Sequence, residues 1–208
     1  MELNATEQRD RDILEKMSAH YYDIYNHFVN HVDFAESNRL KAITGKIKAE
    51  NDGEQFGYVL NPYVGILYVL LKRLGKNSLI DLGSGAGLLL AILNAYDKEL
   101  KLAGIEIEEE LLVISDKLHV NAYNKDLLYL QAADIRDYEV VYFWEPFHNS
   151  DPGIKFANNL IDCMYPGQIL IMRPTGKIIN TLSTSKDLKP ITDQRLHTFG
   201  VYNLFIKL

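Results

Sequence analysis

The stretch Ser78-Leu79-Ile80-Asp81-Leu82-Gly83-Ser84-Gly85-Ala86-Gly87 decides how the rest of the chain is read. A short apolar run of strand length carries an acid near its end and runs into three glycines at alternate positions. Glycines there let the backbone turn sharply and approach a ligand with no Cβ in the way. The residues from Ala86 to Tyr96 follow as a helical pattern, and amide groups at the start of such a helix can bind a carboxylate. A dinucleotide fingerprint would need a further glycine three positions after Gly85. That position is Leu88, which argues against a nicotinamide or flavin dinucleotide.

Outward from this turn, short apolar runs alternate with helical patterns. Strands are expected at Leu79–Leu82, Leu102–Glu106, Leu127–Gln131, Val140–Trp144 and Ile169–Arg173, with helices at Glu108–His119 and Ile154–Met164. Such alternation implies a parallel sheet with crossover helices. Only about ten residues separate the third and fourth strands, so that crossover is a loop or one helical turn. Near the end, strand-like runs at Pro190–Leu196 and Val201–Lys207 flank Phe199-Gly200 and are close enough to pair as an antiparallel hairpin.

Upstream, residues 1–60 read as a helical extension to a domain spanning 61–208. Asn4 and Glu7 fit a capping box. Leu14, Met17, Tyr21, Ile24, Phe28 and Val32 recur at helical spacing and give the extension an apolar face to bury. A second helical stretch covers about Ser37–Lys48. Asn61-Pro62 then opens a helix over Tyr63–Leu74, with Gly75 past its end. His27 and His31 lie four apart, but no His-Glu-x-x-His pattern joins them, and no metal is expected.

Composition narrows the class. The net charge of −6 argues against a broad nucleic-acid footprint. The charge is uneven: residues 1–60 hold 7 Lys/Arg against 11 Asp/Glu, and 173–208 hold 6 against 2. The small basic cluster of Arg39, Lys41, Lys46 and Lys48 reads as a solvated helix face. The single cysteine, Cys163, excludes an internal disulfide. The start of the chain is charged, unlike a secretory signal, and no apolar run has the length of a membrane span. A cytoplasmic setting is the expectation.

Two further acids complete the pattern. Glu106 ends the second strand 25 residues after Asp81, where a carboxylate can accept hydrogen bonds from both hydroxyls of a ribose. Asp134, in Ala132-Ala133-Asp134-Ile135-Arg136, follows the expected third strand, where an acid can accept from an adenine amino group. Open α/β sheets bind ligands at this edge.

With these residues in place, Tyr63–Leu208 resembles the class I S-adenosylmethionine-dependent methyltransferase superfamily. Asp81 through Gly87 match its glycine motif, Glu106 its ribose-binding acid and Asp134 its adenine-binding acid. The resemblance implies a doubly wound, mostly parallel seven-stranded sheet of order 3-2-1-4-5-7-6, the last strand antiparallel. It implies S-adenosyl-L-methionine as cofactor, held by Asp81, Gly83, Ser84, Gly85, Gly87, Glu106, Ile107, Asp134 and Ile135. Asp-Leu-Gly-Ser-Gly followed by Gly-Ile-Glu-Ile is also similar to the protein-lysine methyltransferases of this fold.

The end of the fourth strand bears on the methyl acceptor. Amino-methylating branches of the superfamily carry Asn/Asp-Pro-Pro-Tyr/Phe there. This chain reads Glu145-Pro146-Phe147-His148, keeping one proline and the aromatic residue but placing Glu where Asn or Asp is usual. A carboxylate beside an aromatic ring suits an amine better than an amide or nucleobase nitrogen. Glu145, Phe147 and His148 are therefore the catalytic candidates, with Glu145 or His148 accepting a proton. The expected partner is a protein or small-molecule methyl acceptor, with a protein lysine ahead of a small molecule. The alternatives are a small-molecule methyltransferase and a non-catalytic module that keeps the fold.

Overall fold

The computed structural model describes residues 8–17, 64–144, 146–147, 151–173, 176–192 and 202–208. Helix α1 covers residues 8–17. The elements that follow are α2 (Val64–Arg73), β1 (Ser78–Leu82), α3 (Leu88–Tyr96), β2 (Lys101–Glu106), α4 (Glu109–Lys117) and β3 (Ala122–Asn124). After a 3₁₀ turn (Leu127–Tyr129) come α5 (Ala132–Ile135), β4 (Val140–Phe143), α6 (Asp151–Cys163), β5 (Ile169–Met172), α7 (Gly176–Thr184), β6 (Leu188–Pro190) and β7 (Asn203–Lys207).

The seven strands form one sheet of order β3-β2-β1-β4-β5-β7-β6. β3, β2, β1, β4 and β5 run parallel, and β7 is antiparallel to both β5 and β6. This is the order the resemblance implies. β1 and β4 are buried along their whole length because both faces are covered. Leu79, Val140, Ile169 and Leu204 meet Leu67 and Leu71 of α2 and Leu90 and Leu93 of α3 on one side. On the other, Ile80, Val141, Leu170 and Phe205 meet Phe156 and Leu160 of α6 and Ile178 and Leu182 of α7.

One expected strand is displaced. Leu127–Gln131 is not β3; the strand lies earlier, at Ala122–Asn124, and Leu127–Tyr129 is a 3₁₀ turn. The ladder explains this. Glu106, the last residue of β2, pairs with Asn124, and its carbonyl takes the Lys125 N–H, so no partner strand remains beyond that point. Asp126 then caps the turn by accepting from the Leu128 N–H at 2.8 Å, while Leu127 and Leu130 drop into the core. The crossover to β4 is this turn plus the single turn of α5, as the short spacing requires.

The hairpin also starts earlier than expected. β6 begins at Leu188, and Pro190 lies within it on the sheet edge, where a missing N–H is tolerated. Helix α7 was not foreseen. Its apolar Ile178, Ile179 and Leu182 sit among Asn, Thr, Ser and Lys, a short pattern easily read as loop.

Of the extension, only α1 lies within the described residues. Met17 is buried against α2, Leu14 reaches Gly65, and the buried Asp10 pairs with Arg73 near the end of α2. The remainder of the apolar stripe, from Tyr21 to Val32, and the two histidines lie outside the described residues. Among the described residues, no helix is long and apolar enough to cross a membrane.

Candidate functional site

The carboxyl ends of β1 and β2 bring Asp81 and Glu106 next to the glycine turn. Parallel register sets Asp81 beside Gly104 on one flank and Tyr142 on the other. Asp81 is almost fully buried, and no donor among the described residues reaches its carboxylate. Burial, reinforced by the nearby Glu106, pushes its carboxyl up to about 8. The Ser84 hydroxyl is also buried and lacks a hydrogen-bond partner among the described residues. Ser84 sits tight over Gly104, where any Cβ would collide with its side chain. The glycine of Gly104-Ile105-Glu106 therefore serves packing: it gives Ser84 room to fold down onto β2.

Glu106 is buried yet well satisfied. Its Oε2 accepts from the Gly85 N–H at 2.8 Å, and its Oε1 accepts from Ile107 and Glu108 at 2.8 and 3.0 Å. Burial raises its carboxyl, while the three backbone N–H groups pull it back toward the charged form. A carboxylate has about four lone-pair sites, so one stays open for an incoming hydroxyl.

The glycine turn has φ above zero at each glycine. Gly83, at φ +84°, is also pressed from outside: a Cβ there would stand 3.1 Å from Pro146 Cβ and 4.0 Å from Leu127 Cδ1. Gly85, at φ +57°, differs, since a Cβ on it would meet nothing within 4 Å among the described residues. Its N–H is turned back to Glu106. Gly87 closes the turn by donating to the Ser84 carbonyl, and α3 begins at Leu88.

The other expected residues fall into two groups. Ile107 follows Glu106 and is 54% exposed at the cleft edge, which suits an apolar contact for a flat ring. Asp134 and Ile135 lie elsewhere in α5. Asp134 caps that helix through the Gln131 N–H at 2.7 Å and pairs with Lys125 at 2.6 Å, and Ile135 is fully buried in the core beneath α6. Because β3 ends at Asn124, the acid that follows it directly is Asp126, next to Leu127 at the glycine turn. The sequence reading does not reach Asp126 because Leu127–Gln131 resembles a strand; the turn-forming Asn124-Lys125-Asp126 is the available signal for the end of β3.

At the end of β4, Trp144 lies under the Arg173 guanidinium, 4.2 Å from the ring centroid. Pro146 touches the glycine turn, as described. The Phe147 ring packs on Phe156 at 5.2 Å, and its Cβ crowds Gly153 at the start of α6. Glu145 and His148 lie outside the described residues. No group of three or more metal-ligating side chains occurs among the described residues.

No protein-family model matches the chain, and no curated protein matches its sequence. Solved structures do match. A putative caffeoyl-CoA O-methyltransferase from Staphylococcus aureus aligns over 91% of this chain and 99% of its own, with 11% identity and a TM-score of 0.54. The methyltransferase domain of bacterial CtHen1 aligns over 70% of this chain and 97% of its own, at 18% identity and a TM-score of 0.52. Human N-acetylserotonin methyltransferase, solved with S-adenosylmethionine, aligns over 70% of this chain at 11% identity and a TM-score of 0.50. The chain spans about half (51%) of that human enzyme's length. These likenesses, with the strand order, show the fold of the class I S-adenosylmethionine-dependent methyltransferases.

Proposed function

We propose that this chain is an S-adenosyl-L-methionine-dependent methyltransferase that methylates an amine nitrogen, a protein lysine being the favoured acceptor. The observation that carries the donor half of this reading is the polar cluster at the glycine turn. The buried Asp81 meets no donor among the described residues, the buried Ser84 hydroxyl has no partner among them, and Glu106 keeps one lone pair open, beside a glycine on which a Cβ would meet no described atom within 4 Å. Buried polar groups in folded proteins are normally satisfied, so such a cluster points to a ligand.

The residues fit the cofactor by charge and shape. The remaining lone pair of Glu106 suits a ribose hydroxyl, and Ile107 suits one face of an adenine. Asp81 and Ser84 suit the cationic methionine end, and the first N–H groups of α3 suit its carboxylate. For the adenine amino group, Asp126 is the better-placed acceptor, because Asp134 is committed to Lys125 and its own helix cap. When bound, the cofactor supplies a methyl group already activated by a positive sulfur, so the protein need only align the acceptor and remove a proton.

For the acceptor half, Glu145 is bonded between Trp144 and Pro146, and Pro146 touches the glycine turn. Its position in the sequence, in the place where amino-methylating relatives of this fold carry Asn or Asp, makes Glu145 the candidate to take a hydrogen bond and a proton from an amine nitrogen. Phe147, whose ring packs on Phe156, and Trp144, whose ring carries the Arg173 guanidinium, are the candidates for an aromatic wall. The resemblance to protein-lysine methyltransferases favours lysine among the amines. Residues 1–60 would complete the acceptor site, since the common fold supplies only the donor side.

Two experiments test this reading. Calorimetric titration with S-adenosylmethionine and S-adenosylhomocysteine should show one site per chain; absence of binding would remove the donor assignment. Labelled methyl donor offered with lysate separated into protein, RNA and small molecules should label protein. Label in the RNA fraction alone would overturn the amine assignment.

A further inference from the structure

Ser115 lies on α4, outside the cofactor residues considered so far, and is fully buried. Its hydroxyl faces the underside of the glycine turn. Ser115 Oγ is 3.4 Å from the Gly85 carbonyl and 3.3 Å from the Leu111 carbonyl one helical turn back, so its proton can go to either. The same oxygen would stand 3.0 Å from a Cβ placed on Gly87. One hydroxyl therefore touches the turn at two of its three glycines. The Gly85 residue is held from two sides: its N–H by Glu106 at the end of β2, its C=O by Ser115 on α4.

We propose that Ser115 is a positioning residue for the donor site: it fixes the Gly85 carbonyl so that the Gly85 N–H stays aimed at Glu106. The proposal rests on the donor assignment made above. Its logic is mechanical. Gly85 has no side chain to anchor it, and no described residue packs where its Cβ would stand, so hydrogen bonds set its orientation among the described residues. Losing the hold on the carbonyl lets the turn rotate about Gly85. The Gly85–Glu106 bond then loosens, and the Glu106 carboxylate no longer presents one fixed lone pair to a ribose.

The test uses the full-length protein labelled with ¹⁵N-glycine, whose 13 glycines give a short list of amide signals. Gly85→Ala removes one signal and so assigns it. In Ser115→Ala the Gly85 amide should exchange with solvent faster and move from its wild-type position, while glycines remote from the turn, such as Gly167, keep theirs. Affinity for S-adenosylhomocysteine, by calorimetry, should fall about three- to tenfold, the scale of one neutral hydrogen bond. Should Ser115→Ala not fold, Ser115→Cys nearly preserves the side-chain volume with a weaker donor and should show the same two changes in smaller degree. An unshifted Gly85 amide, or unchanged affinity in a variant whose Gly85 amide has moved, would overturn the proposal. Failure of the wild-type protein to bind the product would instead overturn the donor assignment, and the two failures are separable because the amide measurement needs no ligand.

Discussion

The two halves of the sheet edge are built from opposite materials. At the ends of β1, β2 and β3 stand three acids, Asp81, Glu106 and Asp126, and the buried Ser84 packs over Gly104 of β2. Past the end of β4, after β5 and before β7 stand Trp144, Arg173 and Tyr202, two aromatic rings and a cation, with Tyr202 edge-on to Tyr142 at 5.9 Å. The first half is polar, with Asp81 and Glu106 buried and Asp126 partly exposed. The second is aromatic, with Tyr202 buried and Trp144 and Arg173 partly exposed. Gly83 is the seam, touched by Leu127 from the first half and Pro146 from the second. A donor site can be complete within one fold, whereas an acceptor site is finished by whatever segments are added to it.

The largest expected effect breaks the first half outright. Gly85→Val places a branched side chain where φ is +57° and the open space lies. Donor binding should fall below detection by calorimetry, while circular dichroism reports a folded chain. Unchanged affinity in the folded variant would place the ligand elsewhere.

The second half is tested through Glu145. If it takes the acceptor's proton, Glu145→Gln should leave donor affinity within a few-fold and lower turnover by about 10²-fold, the usual scale for an acid–base group. Weak donor binding with normal turnover at saturation would move Glu145 to the donor half. Normal values of both would remove the main support for an amine acceptor.

How legible each half was in the sequence follows the same division. Asp81, the glycines and Glu106 could be read directly, because a tight turn and a buried acid each tolerate few residue types. The strand order followed by resemblance, and the sheet has it. The third strand was misplaced because Leu127-Leu128-Tyr129-Leu130 has strand-like composition, while the partner that should have paired with it ends at Glu106. That limit is tertiary, and the local sequence marks it only through the turn residues Asn124-Lys125-Asp126. The role of Gly104 was equally hidden, since its need for glycine arises from Ser84, twenty residues earlier. Phe147, a catalytic candidate by its place in the sequence pattern, has its ring packed on Phe156, a contact that the pattern alone does not reveal.

The pH dependence of the donor half follows from Asp81. Its carboxyl is raised to about 8 from an ordinary value of 3.8, chiefly by burial. The folded protein therefore holds this proton where the unfolded chain has lost it. The stability tied to Asp81 is fully present below about pH 4 and is lost as pH rises through about 8. Asp81→Asn should thus melt above the wild type near pH 8, with the gap closing toward pH 4. A cationic donor favours the charged carboxylate, so its binding should release a proton below pH 8. Wild-type affinity should rise by up to about tenfold per unit from pH 6 to 8 and then level off, whereas the Asn variant should show no such rise. A flat wild-type profile would show that Asp81 does not face the donor's positive charge.

The smallest effect separates two acids that the sequence alone could not. Asp126 and Asp134 are eight residues apart, and each could follow a strand if β3 were drawn to suit it. In the fold Asp126 follows β3 directly and has one oxygen, Oδ1, on the Leu128 N–H. Asp134 has its Oδ2 on both Lys125 and the Gln131 N–H. Asp126→Asn keeps an oxygen for the cap but removes the charge and half of the acceptor capacity. It should weaken S-adenosylhomocysteine binding about three- to tenfold and lower the melting temperature little. Asp134→Asn removes an ion pair and weakens a helix cap. It should cost about 1 kcal/mol of stability and change affinity less than twofold. Titrating both variants with S-adenosylhomocysteine and then with 5′-deoxy-5′-methylthioadenosine, which lacks the amino-acid end, sharpens the result. If Asp126 reads the adenine, the loss in its variant is the same for both ligands. A loss confined to Asp134→Asn would return the adenine to α5, and the boundary between the two halves of the edge would have to move with it.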